Sequence, residues 1–247
     1  MEKDNSFGLS SALLYMIALT TMVIDHVGNV LMNNDTTMRC IGRLAFPIFA
    51  FMLIEGFAHS KNKIKYFSRL AILAIISEPI YDYVFYDSWV YWRNQNIYFE
   101  LLIGFLVILS VFELKKHIKE VHILPVMAYI ISIPMYVYIA ETLKFDYGWY
   151  GVVMFAIYAL GYDTKIKPLT SLLAIAIPFI VLYSEGRPID FIAIGDREFD
   201  VYIQNYAIFA WFIIVGYGGK LGYNAKWFKW FKYLAYPMHL CMIAFLM

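Results

Sequence analysis

Two adjacent polar residues, Asp25 and His26, interrupt the first long apolar segment of the chain, in the stretch MVIDHVGNVL. A charged side chain inside a membrane costs about 2.5 to 3.5 kcal/mol on insertion scales, so such residues usually face the interior of a helix bundle. An imidazole can accept and return a proton near neutral pH, as general base catalysis requires. Two interpretations stay open: a hydrogen-bonded packing histidine beside an aspartate that contacts head-group water, or a reactive pair.

A second apolar segment supplies a partner for the aspartate. Arg43 precedes LAFPIFAFMLIEGF, and on an antiparallel neighbour it would lie at a depth comparable to Asp25. An Asp25–Arg43 ion pair would relieve two membrane charges at once. Adjacent residues on a helix do not face each other, so His26 could point towards a reaction while Asp25 holds the arginine. Glu55 follows deeper in this segment, where it could line a substrate tunnel or reach the inner membrane surface.

Lys65 and Arg69 lie four residues apart at the start of the third apolar segment, on one face of the expected helix. Two cations there could bind lipid phosphate, or the phosphates of a cytosolic donor such as coenzyme A. Spacing alone leaves both possibilities open. Further polar residues are candidates for lining a tunnel or a substrate rim, namely Glu78, Asn96, Asp146 and Tyr147.

Several function classes lack support. The chain has no GxxxxGK[ST], GxSxG or HExxH motif, so nucleotide hydrolysis, serine hydrolysis and zinc peptidase chemistry are not indicated. The formal net charge of +1 predicts no nucleic-acid partner. Cys40 and Cys241 lie in separate segments without CxxC spacing, and we predict neither a disulfide nor a metal site.

The composition indicates which elements must position these residues. The chain is 62% hydrophobic and 16% charged, with a mean hydropathy of +0.62, which is typical of an integral membrane protein. We predict an all-α, polytopic membrane bundle forming a single domain over residues 1–247. Nine candidate membrane-spanning helices are expected, over residues 11–32, 41–59, 66–86, 97–113, 122–141, 148–162, 169–184, 202–218 and 231–246.

Lysines collect in every second connection, which under the positive-inside rule makes those connections cytoplasmic. They occur in HSKNKIKY, ELKKHIKE, YDTKIK and GGKLGYNAKWFK. This pattern predicts a multi-pass protein of the cell membrane, with the N-terminus in the cytoplasm and the C-terminus outside. The N-terminal stretch MEKDNSFGLSS has no basic region followed by a small-residue cleavage site, so we expect the first apolar segment to be retained.

Several blocks, in order along nearly the whole chain, resemble the TraX family, which is named for the protein associated with N-terminal acetylation of conjugative F-pilin. The blocks are IALTTMVIDHVG, RCIGRLAFPIFAFMLIEGFAHSKNKIKYFSRL, IISEPIYDY, NIYFELLIG, DYGWYGV and KYLAYPMHL. More distantly, their order is similar to the superfamily of membrane acyltransferases that O-acetylate sugars. That resemblance implies that His26 is catalytic, that Arg43 is the outer arginine, and that Lys65 and Arg69 face the coenzyme A phosphates. Lysine stands at position 65, where the relatives usually have arginine.

The resemblance implies an integral membrane acetyltransferase. It would move an acetyl group from cytosolic acetyl-CoA to an amine or hydroxyl on the outer side, either a peptide or pilin N-terminus or a cell-surface glycan. The expected partners are acetyl-CoA, that acceptor and membrane lipids. Two alternatives stay open: a proton-coupled small-molecule transporter, since intramembrane Asp, Glu and His also build proton relays, and a non-enzymatic assembly factor for surface structures.

Overall fold

The computed structural model describes residues 8–120, 122–181, 188–194 and 197–247, and in these residues the fold is all-helical apart from four short strands. Residues 1–7, on which part of the expectation about the N-terminus depends, and residues 182–184 of the seventh predicted segment lie outside the described residues. In chain order the elements are β1 (Leu9–Ser10), α1 (Ser11–Val30), α2 (Thr36–Gly42), α3 (Ala45–His59), α4 (Lys63–Tyr86), α5 (Ile97–Lys119), α6 (Ile123–Thr142), α7 (Gly148–Gly161), α8 (Lys167–Val181), β2 (Asp190–Ile194), β3 (Arg197–Val201), a 3-10 helix (Ile203–Phe209), α9 (Ala210–Val215), β4 (Tyr217–Lys220) and α10 (Lys226–Leu246).

Each of the nine predicted apolar segments contains helix, but the expectation of nine membrane-spanning helices is not supported. In the described part of the chain, four helices are long and apolar enough to cross a membrane: Ser11–Val30, Thr36–His59, Ile97–Lys119 and Ile123–Thr142. Three others are apolar but short: Gly148–Gly161, Lys167–Ile177 and Ile203–Val215. A 14-residue helix such as α7 extends about 21 Å, which is less than the roughly 30 Å of a bilayer core.

Helices α4 and α10 are long but are not among these four, because polar residues are distributed along them. The 24-residue helix α4 has lysines and an arginine at its start and Glu78 and Asp82 in its second half. The 21-residue helix α10 begins with three lysines in its first seven residues. Length alone therefore does not identify a span, and the predicted orientation of the two termini stays a prediction.

The chain divides into two compact units, which we call unit 1 and unit 2. Unit 1 comprises residues 1–52 and 184–236, and unit 2 comprises residues 53–183 and 237–247. The boundaries fall inside α3, between Met52 and Leu53, and inside α10, between Tyr236 and Pro237.

Close packing of α1 on α2 is the main feature of unit 1, and it depends on two glycines. A Cβ at Gly42 would lie 2.2 Å from the Cβ of Asp25, and a Cβ at Gly28 would lie 2.5 Å from the Cβ of Met38. Small residues at helix contacts allow this approach in membrane proteins. Unit 1 also contains a parallel pairing of β1 with β4 and an antiparallel pairing of β2 with β3, neither of which the apolar pattern predicted.

Helix α5 is central to unit 2, where it packs against α4, α6 and α7, while α7 also packs against α8. Its buried face includes Val107, Ile108 and Val111, and Gly104 admits the ring of Phe155 from α7. Helix α6 differs from the other candidate spans, because only 6% of its most apolar 18-residue stretch is buried.

Replacing Gly42 by alanine tests the packing of α1 on α2. Alanine favours helix, but its methyl group would overlap the Asp25 side chain next to the backbone, and overpacking costs about 1 to 3 kcal/mol. We expect Gly42→Ala to lower the thermal unfolding temperature of the detergent-solubilised protein. The matched control is Gly216→Ala, where the nearest atoms would lie 3.4 Å from the new Cβ. Equal unfolding temperatures for the two variants would contradict the close packing.

Candidate functional site

The carboxylate of Asp25 is buried between α1 and α2 in unit 1. Its Oδ2 accepts hydrogen bonds from Nη2 of Arg43 at 2.6 Å and from Nη1 of Arg39 at 3.0 Å. The predicted Asp25–Arg43 ion pair is therefore confirmed. Arg39 is a second partner, four residues before Arg43, that the sequence analysis did not identify. Two guanidinium groups share one carboxylate, so this group of three residues has an excess positive charge.

Gln204, from the 3-10 helix, extends this group of polar residues. Its Oε1 accepts a hydrogen bond from Nη1 of Arg43 at 3.4 Å, and the residue is 1% exposed. Gln204 was not among the predicted site residues, although a glutamine within the apolar segment around VYIQNYAIFA is a signal for a buried polar contact. We refer to Asp25, Arg39, Arg43 and Gln204 as the Asp25 cluster.

Three polar atoms of the Asp25 cluster are buried without a hydrogen-bond partner among the described residues. They are Oδ1 of Asp25, Nε of Arg39 and Nε2 of Gln204. A buried polar atom without a partner costs about 1 to 3 kcal/mol, and most such atoms in proteins are paired. The cluster therefore has N–H donors and a carboxylate oxygen with remaining capacity to bind a further polar group.

His26 points to a different neighbour from Asp25, as expected for adjacent residues of a helix. The residue is half-buried, and its ring meets that of Tyr236 from α10 edge-on, with centroids 6.3 Å apart and an interplanar angle of 76°. Helix α1 thus places the carboxylate of Asp25 against the arginines at the end of α2, and the imidazole of His26 against α10. The catalytic role of His26 stays a prediction.

The predicted phosphate-binding pair, Lys65 and Arg69, lies in the first two turns of α4 in unit 2, where both residues are exposed. The side chain of Asn62 caps this helix by accepting the N–H of Lys65 at 2.8 Å. The neighbouring Lys63 is engaged within the protein. Its Nζ donates hydrogen bonds to the carbonyls of Phe57 and Ser60 near the end of α3. Lys63 therefore contacts the end of α3, whereas the side chains of Lys65 and Arg69 are exposed.

Glu55, a candidate for the tunnel, is engaged with α7 and α8. Its Oε1 accepts a hydrogen bond from Nζ of Lys167 at 2.7 Å, and its Oε2 accepts one from the hydroxyl of Tyr162 at 3.3 Å. His59, four residues later, places Nδ1 at 3.7 Å from Oε2. These contacts give Glu55 a structural role in unit 2, while its predicted role in a tunnel stays a prediction.

Glu78 and Asn96, also candidates for the tunnel, are brought together between α4 and α5. Asn96 is fully buried and caps α5 by accepting the N–H of Tyr98 at 2.9 Å. Its side-chain amide donates to the carbonyl of Ala74 at 2.8 Å and to Oε2 of Glu78, which also accepts the backbone N–H of Asn96 at 3.1 Å. This network joins the two helices of unit 2.

The loop with Asp146 and Tyr147 leads into α7, where a carboxylate that sequence analysis did not select is buried. Glu100 is 0% exposed, and its Oε2 accepts the N–H of Tyr147 at 3.3 Å. A Cβ at Gly151 would lie 2.1 Å from Oε1 of Glu100, so this glycine is needed for the approach. Acidic groups are favourable at helix N-termini. Tyr147 is the N-cap residue of α7 and is buried, whereas Asp146 is exposed.

A double-mutant cycle measures the coupling of Asp25 to Arg43. Asp25→Ala leaves two guanidinium groups without their carboxylate, and breaking a buried ion pair costs about 3 to 5 kcal/mol. Arg43→Ala leaves Asp25 paired with Arg39 and should cost less. We expect the double variant to lose less than the sum of the two single losses. Chemical unfolding in detergent measures the coupling energy. The control cycle uses Glu113 and Lys116, an exposed pair 3.9 Å apart, whose coupling should be at most about 1 kcal/mol. Additive effects at Asp25 and Arg43 would show that the pair does not stabilise the fold.

Comparisons with known proteins agree with the resemblance found in the sequence. The family model described as TraX protein matches residues 10–247. One relative is the probable fimbrial assembly protein FimC, serogroup H1, of Dichelobacter nodosus, which is 26% identical over 188 residues, covering 69% of this chain and 70% of that protein. No solved structure matches. The match over nearly the whole chain shows that this protein belongs to the TraX family.

Proposed function

We propose that this protein is an integral membrane acetyltransferase, which transfers an acetyl group from cytosolic acetyl-CoA to an acceptor outside the cytoplasm. Membership of the TraX family, which is linked to pilin acetylation, supports the reaction class. Four helices that could cross a membrane support a multi-pass protein. The relative named as a fimbrial assembly protein favours the N-terminal amine of a pilin-like peptide as the acceptor over a surface glycan.

The Asp25 cluster carries this proposal. Acyl transfer creates a negative charge on the carbonyl oxygen, and fixed donors in a water-poor site stabilise that charge far better than water does. Asp25, Arg43 and Gln204 are buried and Arg39 is partly buried. The cluster has an excess positive charge and retains N–H groups with no hydrogen-bond partner among the described residues. In this role Arg39 and Gln204 would act together with the predicted Arg43.

His26 would move the proton in the proposed reaction. The acceptor nitrogen attacks the thioester carbonyl carbon and forms the new C–N bond, while the C–S bond breaks and coenzyme A leaves as a thiolate. The imidazole takes the proton from the attacking amine and passes it to the departing sulfur. In an alternative route, the imidazole itself attacks the thioester and releases coenzyme A, and the acceptor amine then takes the acetyl group from the acetyl-histidine. This route requires the same residue.

Lys65 and Arg69 would bind the donor from the cytosolic side. Both residues are exposed and lie one turn apart on α4. Arginine can bind a phosphate with two parallel hydrogen bonds, whereas lysine acts as a point charge. The lysine at position 65 therefore favours charge attraction over a fixed geometry at that position.

Replacing His26 by alanine tests the catalytic assignment. General base catalysis contributes about 10²- to 10⁴-fold, so we expect a loss of that size in transfer of labelled acetyl from acetyl-CoA to a peptide with an unblocked N-terminus. Donor binding should be retained. His59→Ala, at the exposed end of α3, is the matched control and should keep full activity. Unchanged turnover in His26→Ala would exclude His26 as the base.

The donor site is tested by Lys65→Ala combined with Arg69→Ala. A hydrogen bond to a charged group is worth about 1.5 to 3 kcal/mol, so loss of both cations should raise the KM for acetyl-CoA at least tenfold with little change in kcat. Lys61→Ala, an exposed lysine of the preceding connection, is the control. The double substitution should weaken the binding of acetyl-CoA more than the binding of acetyl-CoA that lacks its 3′-phosphate. Equal KM values for the double variant and the native protein would be incompatible with this donor site.

A non-enzymatic assembly factor is the second candidate, which the name of the fimbrial relative favours. An assembly role should survive His26→Ala in cells if the protein keeps its fold and abundance. Surface structures that form normally with this variant, together with absence of acetyl transfer in the native protein, would favour the assembly factor over the enzyme.

A further inference from the structure

Three side chains with metal-binding atoms meet at the turn that joins α5 to α6 in unit 2. Nδ1 of His117 lies 3.2 Å from Nδ1 of His122, and Oε2 of Glu120 lies 3.5 Å and 3.3 Å from these two atoms. Each residue contributes one potential ligand atom. These atoms form a nearly equilateral triangle at the surface of the protein, and none of the three residues is used in the proposed acetyl transfer.

The size of this triangle fits a tetrahedral zinc ion. Zinc binds imidazole nitrogen and carboxylate oxygen at about 2.0 to 2.2 Å in tetrahedral geometry, which places neighbouring ligand atoms about 3.3 to 3.5 Å apart. The three measured separations lie within about 0.1 Å of this range. Two imidazoles and a carboxylate, with water in a fourth position, form a known zinc ligand set. We propose that His117, Glu120 and His122 bind a divalent transition-metal ion, with zinc as the preferred ion.

The surroundings fix the ligand positions. His117 lies in the last turn of α5, and its ring stacks on that of Tyr129 from α6 with centroids 5.9 Å apart. The backbone N–H of His122 donates to the carbonyl of His117 at 3.0 Å, which closes the turn. Glu113, on the preceding turn of α5, places Oε2 at 4.0 Å from Nε2 of His117. A carboxylate near the second nitrogen is a common outer partner of a metal-bound histidine.

Both cap residues in this turn have side chains that are suited to a ligand role. Glu120 is the C-cap of α5, and His122 is the N-cap of α6 but makes no side-chain hydrogen bond to that helix. A serine, threonine, aspartate or asparagine is the usual N-cap, because its oxygen accepts a backbone N–H. The histidine gives up that stabilisation, which metal binding would replace.

A metal at this turn would link two helices. Two ligands come from the end of α5 and one from the start of α6, so the ion would hold these two helices together. The apolar stretch of α6 is only 6% buried, compared with 56% for α5. A helix with so little buried surface gains most from an additional link to its neighbour. The ion would therefore stabilise the α5–α6 pair.

Without a metal, the same distances would have another explanation. Two neutral imidazoles can share one hydrogen between their Nδ1 atoms, or Glu120 can pair with a protonated histidine. The metal site requires instead that both Nδ1 atoms are deprotonated. Metal titration separates these two interpretations directly.

The test uses the full-length protein, purified in detergent with an affinity tag that contains no histidine and stripped with a chelator. Calorimetry with Zn²⁺ should give one site per chain, and Co²⁺ should give the visible absorption of a tetrahedral complex. His122→Ala, a change at an exposed residue, should weaken binding at least about a hundredfold, because even outer partners of a ligand contribute about 10- to 100-fold. Glu120→Gln should weaken it at least tenfold.

His59→Ala removes an exposed histidine from the end of α3 and serves as the control, with unchanged binding expected. Zn²⁺ should also raise the unfolding temperature of the native protein and of His59→Ala, but not that of His122→Ala. His117→Ala should weaken zinc binding as His122→Ala does, and His117→Gln replaces it if the alanine variant does not fold. Zinc binding that persists in His122→Ala, or no binding by the folded native protein, would overturn the proposal. These outcomes are independent of acetyl transfer.

Discussion

The burial of one carboxylate between two guanidinium groups constrains unit 1 more than any other described interaction in it. Asp25 holds Arg43 and Arg39 on one oxygen, at 2.6 and 3.0 Å. Removing such charges from water is costly, and the cost is recovered only when the ions are close and well oriented. The helices must therefore approach until Gly42 touches the Asp25 side chain, a position that any larger residue would block.

The local sequence explains how α2 supplies both arginines to one face. Asn33 and Asn34 adopt left-handed backbone conformations, with φ of 49° and 60°, and asparagine tolerates this conformation better than most residues. Asp35 then caps α2 by accepting the N–H of Met38 at 2.8 Å. The chain thus reverses sharply after α1, and two arginines four residues apart lie against the preceding helix. Gln204 reaches the same group from a position 161 residues away from Arg43.

Part of this arrangement could be predicted from the sequence. The Asp25–Arg43 pair followed from the cost of charge in an apolar segment, which depends only on residue type and approximate depth. Arg39 was missed because the second apolar segment begins two residues after it, whereas the structure starts a separate short helix at Thr36. Gln204 could not be paired from sequence, because its contact with Arg43 depends on the tertiary fold.

The predicted number of membrane spans is not supported, for a related reason. Apolar composition predicts that a helix is removed from water, but it does not distinguish lipid from protein as the surroundings. Helix α7 is apolar, yet its 14 residues pack between α5, α6 and α8, with Tyr150 and Phe155 fully buried. The turn proposed to bind a metal was not considered from the sequence, because only cysteine spacing was used, although the pattern HIKEVH places two histidines and a glutamate within six residues.

The Asp25 cluster differs from the other buried acidic residues because part of its charge cannot be neutralised by a change in protonation. Glu100 and Asp82 each accept a backbone N–H with one oxygen and leave the second without a hydrogen-bond partner among the described residues. A carboxyl group can take up a proton and become neutral, but a guanidinium group stays charged at any physiological pH. The two arginines beside Asp25 therefore keep their excess positive charge whatever happens to the carboxylate. This lasting positive charge favours an anionic partner for the cluster, and the oxyanion of the proposed acyl transfer would be such a partner.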